Sequence, residues 1–257
     1  MNKITQAFAD QKAFIGFLTA GDPTLEKTVD YILTLEKAGA SLIEIGIPFS
    51  DPIAEGPVIQ QANIRSLKNK VTTDDVFAMV KEVRKHTQIP LCFMTYLNVV
   101  FHYGYDRFFK KCQETGIDGI IIPDLPYEEC HEVKDVCNQY DVTLISMIAP
   151  TSADRVVMIA KEAQGFIYLV SSLGVTGMRD DHSFSTQLEH ICQEIKSVTD
   201  VPIAIGFGMN TPQQVRAFKQ YGDGIIVGSG IVNIIGQYGF NGDQALFDYV
   251  RSLADEL

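Results

Sequence analysis

Eight short runs, apolar along their whole length, recur through the chain at residues 14–19, 42–47, 91–95, 119–122, 143–148, 166–170, 203–205 and 224–227. A strand with one face in water alternates apolar and polar residues; one apolar throughout is buried on both faces, as in a parallel sheet covered by helices. The intervening segments have helical spacing. Thr24 caps a helix that runs through Val29, Ile32, Leu33 and Leu35 to Gly39, and a Thr-Thr-Asp-Asp sequence opens another over 73–85. Further amphipathic helices are expected at 58–67, 105–115, 127–139, 153–161, 184–198 and 211–220. Glycine-bearing returns at 39–41, 116–119 and 222–224 lead from helix back to strand. Strand count and length favour one (β/α)8 TIM barrel over residues 1–257, with an N-terminal helix and extra short helices in the βα loops. An open nucleotide-binding sheet lacks its Gly-x-Gly-x-x-Gly after the first strand.

The 257 residues suffice for one large core, and no Pro/Ser-rich or single-sign charged linker divides them. A net charge of −11 argues against general affinity for nucleic acid or anionic membranes. Residues 1–10 lack the pattern of a signal peptide, and no apolar run reaches the length of a membrane span. The five cysteines are scattered, which suits reduced thiols in the cytoplasm. His131 beside Cys130 and Cys137 is a weak metal-binding alternative.

In a barrel the chemistry belongs at the C-terminal ends of the strands. Glu44 sits in the second apolar run, where a carboxylate is costly unless it is paired or used. No basic residue in the neighbouring strands offers to pair with it. Asp51 and Glu55 follow in a loop stiffened by Pro48, Pro52 and Pro57, and Asp124 ends the fourth run between Pro123 and Pro126. Three late loops carry glycines: Ser171 to Arg179, Gly206-Phe207-Gly208-Met209, and Gly228-Ser229-Gly230 before an expected helical segment at 231–235. Backbone N–H groups in such loops can hold a phosphate without a lysine. Phe17, Phe49, Tyr96, Phe101 and Tyr168, in or just after strands, offer an apolar wall, and a phosphate-bearing aromatic metabolite fits the combination.

Seven segments, in order, resemble the tryptophan synthase alpha subunit family over essentially the whole chain: Phe-Leu-Thr-Ala-Gly-Asp-Pro at 17–23, the stretch from Glu44 to Gln60, Met-Thr-Tyr-Leu-Asn at 94–98, Ile-Pro-Asp-Leu-Pro at 122–126, Gly-Val-Thr-Gly at 174–177, Gly-Phe-Gly at 206–208 and Val-Gly-Ser-Gly at 227–230. The Glu44 stretch is distinctive, whereas the glycine motifs alone match many phosphate-binding barrels. The resemblance implies cleavage of indole-3-glycerol phosphate to indole and glyceraldehyde 3-phosphate, with no cofactor in this chain. It makes Glu44 the acid/base carboxylate at indole C3 and the glycerol hydroxyl, and Glu55 the carboxylate near indole N1. Phe17, Thr95, Tyr96, Leu125 and Tyr168 resemble the indole pocket, Asp124 a supporting acid, and Thr176 a loop residue closing on the second carboxylate. Gly177, Gly208, Gly228 and Ser229 would surround the phosphate. The family also implies an alpha2beta2 complex with a beta subunit that carries pyridoxal phosphate (PLP), with Asp51 and Pro52 at the contact.

One position departs from the family pattern. The second carboxylate is usually Asp in Ala-Asp-Gly-Pro, and here it is Glu55 in Ala54-Glu55-Gly56-Pro57. The added methylene displaces the head group by up to about 1.5 Å, a misplacement that can cost roughly 100-fold in rate if nothing compensates. A compensated enzyme, a slow enzyme and a barrel that mainly regulates its partner are the three readings this leaves. A phosphosugar isomerase or Schiff-base aldolase is a further enzymatic alternative, but no strand-borne lysine supports the latter.

Overall fold

The computed structural model describes residues 3–149, 155–170, 181–206 and 208–257, with backbone alone for 181–185. Its strands are β1 (Ala13–Thr19), β2 (Leu42–Gly46), β3 (Leu91–Met94), β4 (Gly119–Ile121), β5 (Thr143–Leu144), β6 (Ser146–Ile148), β7 (Ile167–Val170), β8 (Ile203–Gly206) and β9 (Gly224–Val227). They form one sheet in the order β5-β4-β3-β2-β1-β9-β8-β7-β6, and each adjacent pair is parallel. The run expected as a single strand at 143–148 is two. Its first half pairs with β4 and its second with β7, with Ile145 N–H donating to the Ile120 carbonyl at 2.9 Å between them. The two ends of the strand order are therefore halves of one bent run, and the bend brings the sheet round into a nearly closed barrel.

An outer helix follows each barrel position: Leu25–Ala38, Thr73–Val83, Tyr105–Thr115, Cys130–Gln139, Val156–Glu162, Asp181–Lys196, Pro212–Phe218 and Asp243–Ala254. Local capping accounts for several of their starts. Thr24 accepts the Lys27 N–H, and Thr72 with Asp75 and Thr211 with Gln214 form reciprocal capping boxes. Gly39, at φ 113°, ends the first helix in the left-handed conformation that favours glycine. The last helix returns to the first, where Lys27 meets Asp243 at 2.6 Å and the Tyr31 hydroxyl donates to the Gly239 carbonyl.

The additional helices are Lys3–Gln6, Pro57–Lys68, Leu97–Tyr103 and Ser229–Tyr238, in agreement with the expected N-terminal and βα-loop helices. The extra βα-loop helices are expected in general, but spacing assigns no helix to the particular segments Leu97–Tyr103 and Asp243–Ala254. The first is short and lacks a local cap, because its first N–H, on Leu97, donates to Asp124 at 2.8 Å from the next βα loop. The C-terminal helix opens after glycine with no side-chain cap.

Alternate residues of the strands fill the barrel. Ala13, Ile15, Leu42, Cys92, Ile121, Phe166, Ala204 and Ile226 pack together inside, with Ile4 of the N-terminal helix fully buried against them. Space at this closed end is tight around Gly119. A Cβ there would stand 2.7 Å from Ile4 Cδ1, 2.9 Å from Cys92 Sγ and 3.1 Å from the Thr143 carbonyl oxygen. Gly119→Ala is expected to lower stability by about 1–3 kcal/mol through overpacking, measured by urea unfolding; an unchanged midpoint would show that the plug yields freely.

Candidate active site

The register of β2 sets Glu44 between Phe17 on β1 and Cys92 on β3. The side chain is fully buried, and neither carboxylate oxygen has a hydrogen-bond partner among the described residues. Burial pushes its proton affinity up, to a pKa of about 8, since an anion in apolar surroundings loses its hydration without replacement. Two hydroxyls share this condition: Thr95, expected in the pocket, and Thr19, which was not. Counting by twos from Phe17 along β1 would have found Thr19 on the same inward face.

Interior glycines make room for the two rings beside the acid. A Cβ on Gly46 would lie 2.8 Å from the Phe17 ring, and one on Gly206 would run into the Tyr168 ring. Glu44 also acts on Tyr168, whose hydroxyl is held well above its ordinary range by burial first and by this carboxylate second. Phe17 packs upward against Val58, Ile59, Ala62 and Val232, so the helices Pro57–Lys68 and Ser229–Tyr238 cover this side of the barrel.

Glu55 precedes the first of those helices and is held at both ends. Gln60 Nε2 donates to its carbonyl at 2.8 Å, and Asn63 Nδ2 donates to its Oε2 at 2.6 Å. Burial raises the Glu55 pKa, while hydrogen bonds from Asn63 and Tyr96 oppose the rise. The Tyr96 hydroxyl also accepts the Ala54 N–H at 3.0 Å, and its ring lies 5.2 Å from that of Phe49. Asn63 escaped the sequence reading. Its only local signal is a helical position beside apolar Ala62 and one turn before Ser66, on a face that proves buried.

Asp124 accepts from Leu97 and so fixes the relative placement of the loops after β3 and β4. Beside it, Leu125 joins Ile122, Met147 and Val170 in lining a mostly apolar cavity of about 340 Å³ that extends outward past Cys130 to Lys134, Arg155 and Glu162; of the expected site residues Leu125 lines it, and Glu44, Glu55, Phe17, Thr95, Tyr96 and Tyr168 do not. Phe101 does not contribute to this wall; it is 68% exposed, with its ring against Tyr105. Gly228 and Ser229 stand at the start of the ten-residue helix Ser229–Tyr238, longer than the segment expected at 231–235, and Gly208 adopts a positive φ of 45° in the preceding βα loop. Thr176 and Gly177 lie outside the described residues, as do Phe207 and the rest of the loop at 171–180. Asp51 is exposed and Pro52 half-buried on the outer rim, next to Ile53, which is 79% exposed. Among the described residues, no His, Cys, Asp and Glu grouping has the arrangement of a metal site, and no helix is long and apolar enough to cross a membrane.

A nearly closed (β/α)8 barrel with a buried carboxylate and a helix start near the C-terminal ends of its strands has the layout of barrel enzymes that act on phosphorylated metabolites. Residues 4–254 match the family model for the tryptophan synthase alpha chain. The tryptophan synthase alpha chain of Lactiplantibacillus plantarum is 45% identical over 254 residues, covering 98% of this chain and 95% of its own. That of Lacticaseibacillus casei is 47% identical over 91% of this chain and 88% of its own. Among solved structures, the tryptophan synthase alpha chain of Legionella pneumophila superposes with a TM-score of 0.88 at 34% identity, covering 100% and 97% of the two chains. A chain from work on the tryptophan synthase a2b2 complex of Pyrococcus furiosus gives 0.88 at 34% identity, with 95% and 98% covered. The chain belongs to the tryptophan synthase alpha chain family.

A carboxyl whose pKa is higher folded than unfolded has a definite effect on stability. Below pH 4.5 it is protonated in both states; as pH rises toward 8 the unfolded chain ionises first, and folding loses stability. Replacing Glu44 by Gln removes this dependence. The stability of Glu44→Gln relative to wild type is expected to rise between about pH 4.5 and pH 9 by up to the order of 5 kcal/mol, measured by urea unfolding across that range. Parallel pH profiles would show that the carboxyl is not held protonated.

Proposed function

We propose that this chain cleaves indole-3-glycerol phosphate to indole and D-glyceraldehyde 3-phosphate in tryptophan biosynthesis, with Glu44 and Glu55 as its catalytic carboxylates. The observation that carries the assignment is Glu44 itself, fully buried, without a partner among the described residues and still protonated near neutral pH, in a chain of this lyase family. Such a group is an acid in search of a base, and indole C3 is basic enough to receive its proton.

Protonation at C3 places positive charge on the ring nitrogen. Glu55 faces the N1–H as an anion, helped by the hydrogen bonds from Asn63 and Tyr96 that oppose its uptake of a proton. The bond between C3 and the glycerol chain then breaks, and its electron pair returns to the ring and neutralises the nitrogen. The adjacent hydroxyl becomes the aldehyde of glyceraldehyde 3-phosphate and gives its proton to Glu44, restoring the acid. One proton enters at C3 and one leaves the hydroxyl, so the enzyme is unchanged. Two carboxyl groups in different environments thereby divide the acid/base and electrostatic work.

Phe17, Thr95, Tyr96, Leu125 and Tyr168 form the proposed indole pocket, with Asp124 as its support. The phosphate is assigned to Gly228 and Ser229, where the start of the helix Ser229–Tyr238 favours an anion, together with Gly208 and, from the resemblance, Gly177 and Thr176. The family supports a beta subunit as partner, and we assign Asp51 and Pro52 to the contact, an alpha2beta2 assembly to the complex and PLP to the partner. Residues 1–257 are treated as one cytoplasmic domain; β1 pairs with both β2 and β9, so the early and late parts of the chain share one sheet.

Indole release from indole-3-glycerol phosphate, measured for the chain alone and with its cognate beta subunit, tests the proposal. Wild type is expected to turn over and to be activated by the partner, and Glu44→Gln to lose about 100- to 10,000-fold in kcat. Failure of wild type to release indole in the complex would refute the assignment. Glu55→Asp is expected to be slower than wild type, because the surrounding contacts are set for the longer acid; a faster variant would show that the added methylene is a handicap.

A further inference from the structure

Glu55 is one methylene longer than the usual acid of its family motif, and the structure contains a partner that suits the extra length. Asn63 lies well inside the helix Pro57–Lys68, whereas Glu55 precedes that helix and its N-cap, Gly56. Along a helix each residue advances about 1.5 Å, so the separation to be bridged is several ångströms. The Asn63 side chain leans back toward the helix start, as helical side chains do, and Glu55 reaches forward. They meet with Asn63 Nδ2 2.6 Å from Glu55 Oε2. Asn63 is 4% exposed and cannot swing away freely. An aspartate on the same backbone would fall short by up to about 1.5 Å, turning a short charge-assisted hydrogen bond into no bond at all.

We infer that Asn63 is a positioning residue for Glu55, drawing the longer side chain back toward the helix so that its carboxylate keeps a productive place opposite the substrate nitrogen. This rests on the assignment of Glu55 to N1 in the preceding section. The bond does two things at once. It fixes the location of Oε2 against a buried donor, and it favours the ionised form that the reaction requires, against the burial that disfavours it. The titratable group in contact with Glu55 among the described residues is Tyr96, itself influenced by Asp124. Asn63 is uncharged at every pH, so its own titration cannot produce a change in that of Glu55; loss of its hydrogen bond raises the Glu55 pKa, whereas added hydration on its removal would lower it.

The experiment compares wild type, Asn63→Ala, Glu55→Asp and the double variant in complex with the beta subunit. Asn63→Ala is expected to lower kcat at least tenfold with KM changed less than about twofold, and to move the acid limb of the kcat–pH profile to higher pH. In the Glu55→Asp background, where the contact is already lost, Asn63→Ala should cost less than about threefold. Equal losses in both backgrounds, or an unmoved acid limb, would overturn the inference and leave Asn63 a packing residue. Should the alanine variant not fold, Asn63→Ser replaces it, with a hydroxyl too short to reach the carboxylate. Titration of the Glu55 carboxyl carbon by ¹³C NMR in wild type and variant reads the contact without turnover. An inactive wild type with a shifted titration would refute the catalytic assignment alone; an active wild type with no shift would refute the role of Asn63 alone.

Discussion

The arrangement at the barrel mouth depends on one electrostatic constraint: a carboxyl must be kept among apolar groups without a cation to satisfy it. Elsewhere the chain pairs its enclosed acids. Asp22 is gripped by both nitrogens of the Arg65 fork, and Asp118 by Arg84 together with the Leu91 N–H. Glu44 receives no such partner among the described residues, and its surroundings explain how it is enclosed. Phe17 and Tyr168 occupy space left open by Gly46 and Gly206, and the helices after β2 and β9 close over Phe17. A carboxyl in such a place is held at a cost in stability that a neutral group of the same shape would not incur.

The two acids come from one βα unit but are controlled by different forces. Glu44 is governed by desolvation, and its strand leaves it little freedom. The pKa of Glu55 is raised by burial as well, but it is only half-buried, and hydrogen bonds from Asn63 and Tyr96 oppose that rise. Burial acts on both, but among the described residues only Glu55 has groups that favour its anion. Two carboxyl groups eleven residues apart in sequence are thus set in different electrostatic environments.

Much of this was legible in the sequence because the decisive signals were local. Continuous apolar runs marked the strands, Thr24 and Thr72 marked helix starts, and a charged residue inside such a run marked Glu44. What escaped was non-local. The helix Leu97–Tyr103 is capped by Asp124, an acceptor in another loop. The break at Ile145 reflects closure of the barrel, with neighbours on both sides contributed by distant strands. Asn63 sits in a polar-looking helix, and its relation to Glu55 emerges only when the helix face and the reach of both side chains are known. Phe101 erred the other way, since proximity to a strand end does not fix the direction of a ring.

The pairing of β1 with β9 has a consequence for how the chain reaches this state. Ala13 must wait for Gly224, and the helix bearing Lys27 for the one bearing Asp243, so the seam joins parts of the polypeptide far apart in sequence. Contacts of such separation incur loop-closure entropy before they return any stabilisation. Until β9 is in place, β1 can pair only with β2 and its other edge lacks a neighbour. The enclosure of Glu44 is therefore complete only when β9, the last strand in the sequence, has joined β1.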